Sequence, residues 1–147
     1  MAQQPMYSAV VNSPPTELAA DITASATSVT VVSASALPPA PNLLTIGVDE
    51  TAETVRYTNV SGNVLTVERA FQGVAKAWST GAKVARYYTA YDHDTFVGNI
   101  QDVVTTLGTK ETPEGAQAKA DAALTAAKTD ATTRANAAET NANQYTR

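Results

Sequence analysis

The residues best placed for chemistry are Tyr91-Asp92-His93-Asp94, two carboxylates flanking the single histidine of the chain. Such a group could bind a metal or orient a general base. Adjacent side chains point different ways, however, and no second histidine or distant acid cluster completes a site. A helix start explains both aspartates more simply, as N-cap and first-turn acids. Asp49-Glu50-Thr51-Ala52-Glu53 concentrates acid between two apolar runs, but its spacing does not match a calcium loop and the required glycine is missing. It reads as a solvated turn. Neither G-x-S-x-G nor G-x-x-x-x-G-K-[ST] occurs, and no serine has a paired base. The absence of cysteine removes disulfides, iron–sulfur clusters, the usual structural zinc sites and thiol nucleophiles. No catalytic residue, cofactor or metal ligand is therefore expected, and the chain does not read as an enzyme. The remaining signal is aromatic: Phe71, Trp78, Tyr87, Tyr88 and Tyr91 could line a sugar-binding face, but such residues more often form a small β core or an interface anchor.

Composition limits what can position these groups. The 147 residues are 44% hydrophobic, but 28 of them are alanine. The larger apolar residues make up only about a quarter of the chain, too few for a big self-contained core. A small domain, or one completed by copies of itself, is expected. The net charge of −4 and the scattered ten Lys and Arg argue against nucleic acid as a partner. No apolar run approaches a membrane span, and no signal-peptide pattern opens the chain, so a soluble protein made in the cytoplasm is expected.

Along the chain the period changes three times. Residues 1–27, with Pro5, Pro14 and Pro15, read as an extended arm carrying a short strand at Tyr7–Val11. Residues 28–90 read as a small β module. Strands are expected at Ser28–Val32, Leu43–Val48, Glu53–Val60, Val64–Ala70 and Lys83–Thr89, with a hairpin turn at Ser61-Gly62-Asn63. Close turns and no intervening helix imply an antiparallel small sandwich or barrel. Residues 91–108 carry Phe96, Ile100, Val103 or Val104, and Leu107 on one helical face. Residues 109–113 form a hinge, with Pro113 suited to the first turn of the next helix.

Residues 114–147 contain Leu124 and Tyr145 as their large apolar residues, yet a stripe is readable. It runs Ala116, Ala120, Ala123, Ala127, Ala131, Ala135, Ala138, Ala142, Tyr145, with steps of three and four averaging about 3.6. One such helix is marginal in water, because an alanine stripe buries little area. Packed against identical copies, its small side chains allow close approach. An alanine-rich coiled-coil helix, its seam continued by Phe96, Ile100, Val104 and Leu107, is therefore expected; a partly disordered helical tail is the alternative.

The β segment also carries a resemblance. Asp21–Val31, Leu44-Thr45-Ile46-Gly47, Glu53–Thr58, Ser61–Arg69 and Gly81–Ala85 together resemble a small β module found near the start of tail-fibre, baseplate and neck-type structural proteins of tailed bacteriophages. Thr89–Phe96 and the alanine-rich Glu114–Tyr145 look like the short helix and coiled-coil shaft that follow in such fibres. The likeness covers about residues 16–145 and is a pattern of strands and turns, not a catalytic signature. Two positions depart from it: Ala70 stands where the family has glycine, and Trp78 where a smaller or polar residue is usual.

The resemblance implies a virion structural protein, assembled in the host cytoplasm, that acts as a homotrimeric fibre or fibre-anchoring adaptor. Its partners would be itself and other virion proteins of the tail, collar, baseplate or capsid, with neither nucleic acid nor membrane. The arm and β module would dock it, with Tyr7, Val11, Phe71 and Trp78 as candidate contacts. Because the sequence ends at Arg147 in helical sequence, the shaft is expected to be short or to continue in a partner or a longer parent chain. The alternative function is recognition of a host surface glycan.

Overall fold

The computed structural model describes residues 3–146. Its strands are β1 (Thr16–Glu17), β2 (Ser28–Thr30), β3 (Asn42–Ile46), β4 (Glu53–Ser61), β5 (Val64–Gln72) and β6 (Lys83–Ala85). Two helices follow, α1 (Ala90–Gly108) and α2 (Pro113–Tyr145). By contact density the chain divides into two units, meeting within α1 at Val103 and Val104.

The strands form one antiparallel sheet in the order β1-β6-β3-β4-β5-β2. The sheet is curled, and just beyond β1 and β2 its two edges meet in a bridge between Leu18 and Val31. Ala19 N–H donates to the Thr30 carbonyl and Val32 N–H to the Glu17 carbonyl, each at 2.9 Å. A single curled sheet thus replaces the two-sheet sandwich offered as one option. A module this short holds too few large side chains to fill the space between two sheets, whereas one curled sheet encloses a core on its concave face.

That core contains Leu18, Ile22, Val29, Val31, Leu37, Leu44, Ile46, Val55, Tyr57, Leu65, Val67 and Val84. Period-2 alternation along β4 and β5 supplies much of it. Val55, Tyr57, Leu65 and Val67 face inward, while Val64 is exposed. Tyr57 is fully buried, and its hydroxyl donates to the Pro38 carbonyl at 2.6 Å, so the polyproline connection also satisfies the largest core side chain. The tip of the β4–β5 hairpin is useful as well. Asn63 accepts from Ala34 N–H through Oδ1 and donates to the Val32 carbonyl through Nδ2, tying the chain after β2 to the hairpin.

Two expectations change in the first 27 residues. The sheet begins at Thr16, well inside the stretch read as arm. No strand forms at Tyr7–Val11; the Tyr7 and Ser8 carbonyls accept from side chains of the module, and the segment ends in a turn in which Ser13 N–H donates to the Val10 carbonyl at 3.1 Å.

α1 begins with a reciprocal cap. Thr89 Oγ1 accepts from Asp92 N–H at 3.3 Å, and the Asp92 carboxylate accepts from Thr89 N–H at 2.9 Å. The N-cap is therefore Thr89, and Asp92 is the acid three residues on. α2 starts at Thr112, whose side chain accepts from Gly115 N–H at 3.0 Å, with Pro113 in the first turn. It runs for 33 residues, and none of its described residues is buried.

Candidate functional site

Asp92 does more than cap. Its two oxygens accept from Arg86 Nη1 and Nη2, both at 2.8 Å, and also from Thr89 N–H and Oγ1. Arg86 and Asp92 are both almost completely buried. Burial pushes the Asp92 carboxyl up, but the Arg86 guanidinium and the Thr89 donors outweigh it and hold the group below its ordinary value. The pair is a structural staple between β6 and α1. Three donors converge on Oδ2 and one on Oδ1, so the carboxylate is committed to Arg86 and Thr89.

The remaining donors of Arg86 turn to the arm. Nε donates to the Ser8 carbonyl at 3.1 Å and to Asn42 Oδ1 at 2.8 Å, and Nη2 donates to the Tyr7 carbonyl at 3.3 Å. Asn42 Nδ2 donates to the Ser8 carbonyl at 3.0 Å. Farther along α1, Asn99 grips the arm with both ends of its amide. Oδ1 accepts from Gln4 N–H at 2.8 Å and Nδ2 donates to the Gln4 carbonyl at 2.9 Å. Tyr91 donates from its hydroxyl to the Pro5 carbonyl at 2.8 Å. Two arm side chains are engaged as well: Ser8 Oγ accepts from Asn42 Nδ2 at 3.0 Å, and the Tyr7 ring lies 5.7 Å from the Tyr91 ring, while Phe71 meets Tyr91 edge-on at 4.8 Å. Two of the four candidate docking residues, Tyr7 and Phe71, are thus brought together through Tyr91. Val11 stands apart and is exposed.

Trp78 is engaged inside the module. Its ring is half-buried against the core, and its indole N–H donates to Glu53 Oε2 at 3.0 Å. Its backbone bridges Ile22 in both directions. Glu53 corrects the reading of residues 49–53 as a solvated turn. The turn itself is exposed, but Glu53 is fully buried at the start of β4. It accepts from Arg69 Nε at 2.8 Å and Nη2 at 2.7 Å, from Ala70 N–H at 2.9 Å and from Trp78. Burial raises its pKa, and these donors together more than reverse that, leaving it lowered. Sequence spacing carries no warning of this, because Glu53 and Arg69 meet only across the β4–β5 pair.

Ala70 adopts φ 52°, in the left-handed region, where β5 bulges against β4. That conformation aims the Ala70 N–H at Glu53, and it accounts for the glycine expected there by resemblance.

Among the described residues no cluster of three or more His, Cys, Asp or Glu side chains is placed to hold a metal. An open groove of about 320 Å³ lies beside the β3–β4 turn, lined in part by Val48, Asp49, Gln72, Tyr87 and Tyr88. Of these, Tyr88 is 66% exposed.

α1 has an inverted pattern. Its buried residues are polar, namely Asp92, Thr95 and Asn99, at the three-and-four spacing of one face. Its apolar residues Phe96, Ile100, Val104 and Leu107 are exposed, Ile100 and Leu107 by more than 60%. The alanines of α2 and Tyr145, read as a seam, are exposed as well. No protein-family model matches the chain, and no curated protein matches it. No helix among the described residues is long and apolar enough to cross a membrane.

Proposed function

We propose that this chain is a structural, non-enzymatic protein of a tailed-phage virion, a homotrimeric fibre or fibre-anchoring adaptor. It docks through its arm and β module, and its helices assemble with those of two other copies into a shaft. The observation that carries the reading is the inverted α1, which turns a polar face to its own module and leaves Phe96, Ile100, Val104 and Leu107 outside. A continuous apolar helix face is stable in water only when something covers it. The stripe of α2 has the same need and the small side chains that suit close helix packing. The order of arm, β module, short helix and alanine-striped helix matches the phage modules that the sequence resembles. The engaged carboxylates of Glu53 and Asp92 fit a scaffold and leave no free acid–base pair at either position. Sedimentation equilibrium at micromolar concentration tests the reading, with a trimer mass expected. A monodisperse monomer would overturn it.

One observation favours a second reading. The groove beside Tyr87 and Tyr88 combines exposed aromatic rings with the Asp49 carboxylate and the Gln72 amide, the mixture that grips a sugar ring by its faces and hydroxyls. Glycan binding by the intact protein that disappears in Tyr88→Ala would establish this reading. Trp78→Ala is the wrong probe, because its indole supports Glu53.

A further inference from the structure

We propose that the arm groove is a peptide-binding site that receives the arm of a second copy, so that neighbouring subunits are joined by exchanged N-termini. The inference deepens the oligomeric part of the proposed function, and rests on it, by naming how copies couple.

The groove recognises backbone. Asn99, Tyr91, Arg86 and Asn42 contact the N–H of Gln4 and the carbonyls of Gln4, Pro5, Tyr7 and Ser8. Arg86, Asn42 and Asn99 are each more than nine-tenths buried, so the site is built into the module and held in place from behind by Asp92. Gln4 faces Asn99 while Tyr7 faces Tyr91, so the arm runs antiparallel to α1 along a continuous track. Such a track binds an extended segment equally well whether it comes from its own chain or from another.

What separates the two routes is the hinge. Folding the arm back onto its own module places Asn12 at φ 62°, which asparagine accommodates, and Ser13 at φ 43°, a left-handed conformation that serine disfavours. Ser13 also precedes Pro14, which drives the residue before it toward extended backbone. Opening the hinge removes both conflicts and loses none of the groove contacts, provided that an equivalent groove lies within reach. In a closed ring of three copies each arm has such a groove next door, at comparable effective concentration. Strained hinges of this kind are where elements exchange between protomers.

The chain has no cysteine, which makes the test direct. Gln3→Cys and Val103→Cys sit at exposed positions at the α1 end of the track. Single-cysteine chains carrying one change each are co-expressed at full length and treated with a short bismaleimide. A covalent adduct joining the two introduced thiols across chains is expected. It should fall at least tenfold when Gln4→Pro is added to the arm chain to remove the N–H that Asn99 accepts. Gln4→Pro leaves every module residue unchanged, so a folding defect does not cloud the result. The doubly substituted chain serves as the proximity control and must give an adduct, within or between chains. An adduct formed only within chains overturns arm exchange, as does an interchain adduct that Gln4→Pro leaves undiminished, or no adduct at all. Native mass measured on the same samples separates the two claims. A trimer with only intrachain adducts overturns the exchange and leaves the trimer standing, whereas a monomer overturns both.

Discussion

Asp92 and Glu53 start from different settings, one beside a histidine and the other in an acidic run, and both end up buried against an arginine. Arg86–Asp92 closes at 2.8 Å and Arg69–Glu53 at 2.7 Å. Removing one partner strands a desolvated charge, so Asp92→Asn is expected to destabilise the module by about 3–5 kcal/mol in denaturant titration. The same geometry sets a pH dependence. Both carboxyls titrate lower in the folded chain than in the unfolded one, whose ordinary values are 3.8 and 4.5. On acidification the unfolded chain therefore takes up protons first. Stability from these groups is complete above about pH 5.5 and is lost as pH falls through the ordinary carboxylate range and below. The denaturation midpoint should be flat from pH 7 to that point and then decline. Asp92→Asn should make the decline shallower; an unchanged acid limb would show that the pair is not what titrates. Neither partnership was legible in the sequence, because each depends on which residues the sheet brings opposite one another. The N-terminal acid of α1 was legible, but its burial was not.

Elements were easier to read where the local code is strong. The β4–β5 hairpin follows from alternation around Gly62-Asn63, and α2 follows from Pro113 with an uninterrupted helical period. β1 is two residues long and has no period to show; it exists because β6 needs a partner. The resemblance marked Ala70 as a departure, and the structure supplies its physical meaning. A side chain at φ 52° is strained, whereas glycine is not. Ala→Gly within a strand ordinarily costs about 0.5–1 kcal/mol. At this bulge, Ala70→Gly is expected to be neutral or to stabilise by up to about 1 kcal/mol. A loss of the ordinary size would contradict the assigned conformation. Gly47 behaves in the opposite way. It holds φ 95° after β3, and a Cβ there would lie 2.6 Å from the Trp78 ring. Gly47→Ala must therefore displace an indole that holds Glu53, and a thermal melt should show a loss of about 2 kcal/mol or more.

At the scale of the whole molecule the issue is what makes a 33-residue helix with no buried described residue worth forming. At 1.5 Å per residue it is about 50 Å long. It carries four acids against three bases, four of its threonines donate to the carbonyl four residues earlier, and its ion pairs are exposed, so these interactions contribute only tenths of a kcal/mol each. A helix so supported frays when isolated and is held when copies cover its stripe. The proposed trimer therefore couples helix content to association. Ellipticity at 222 nm should fall on dilution, and the melting temperature should rise with protein concentration. The face that matters is decided by two alanines two residues apart. Ala120 lies on the stripe, and Ala118 lies on the opposite side of the helix. Glutamate has the same intrinsic helix cost at either position, so only packing can distinguish them. Ala120→Glu is expected to shift the protein toward monomer and to lower helicity at fixed concentration, whereas Ala118→Glu should leave mass and ellipticity unchanged. Equal effects at the two positions would mean that no copy is seated on the stripe. The exposed Phe96, Ile100, Val104 and Leu107 of α1 would then need another partner to cover them.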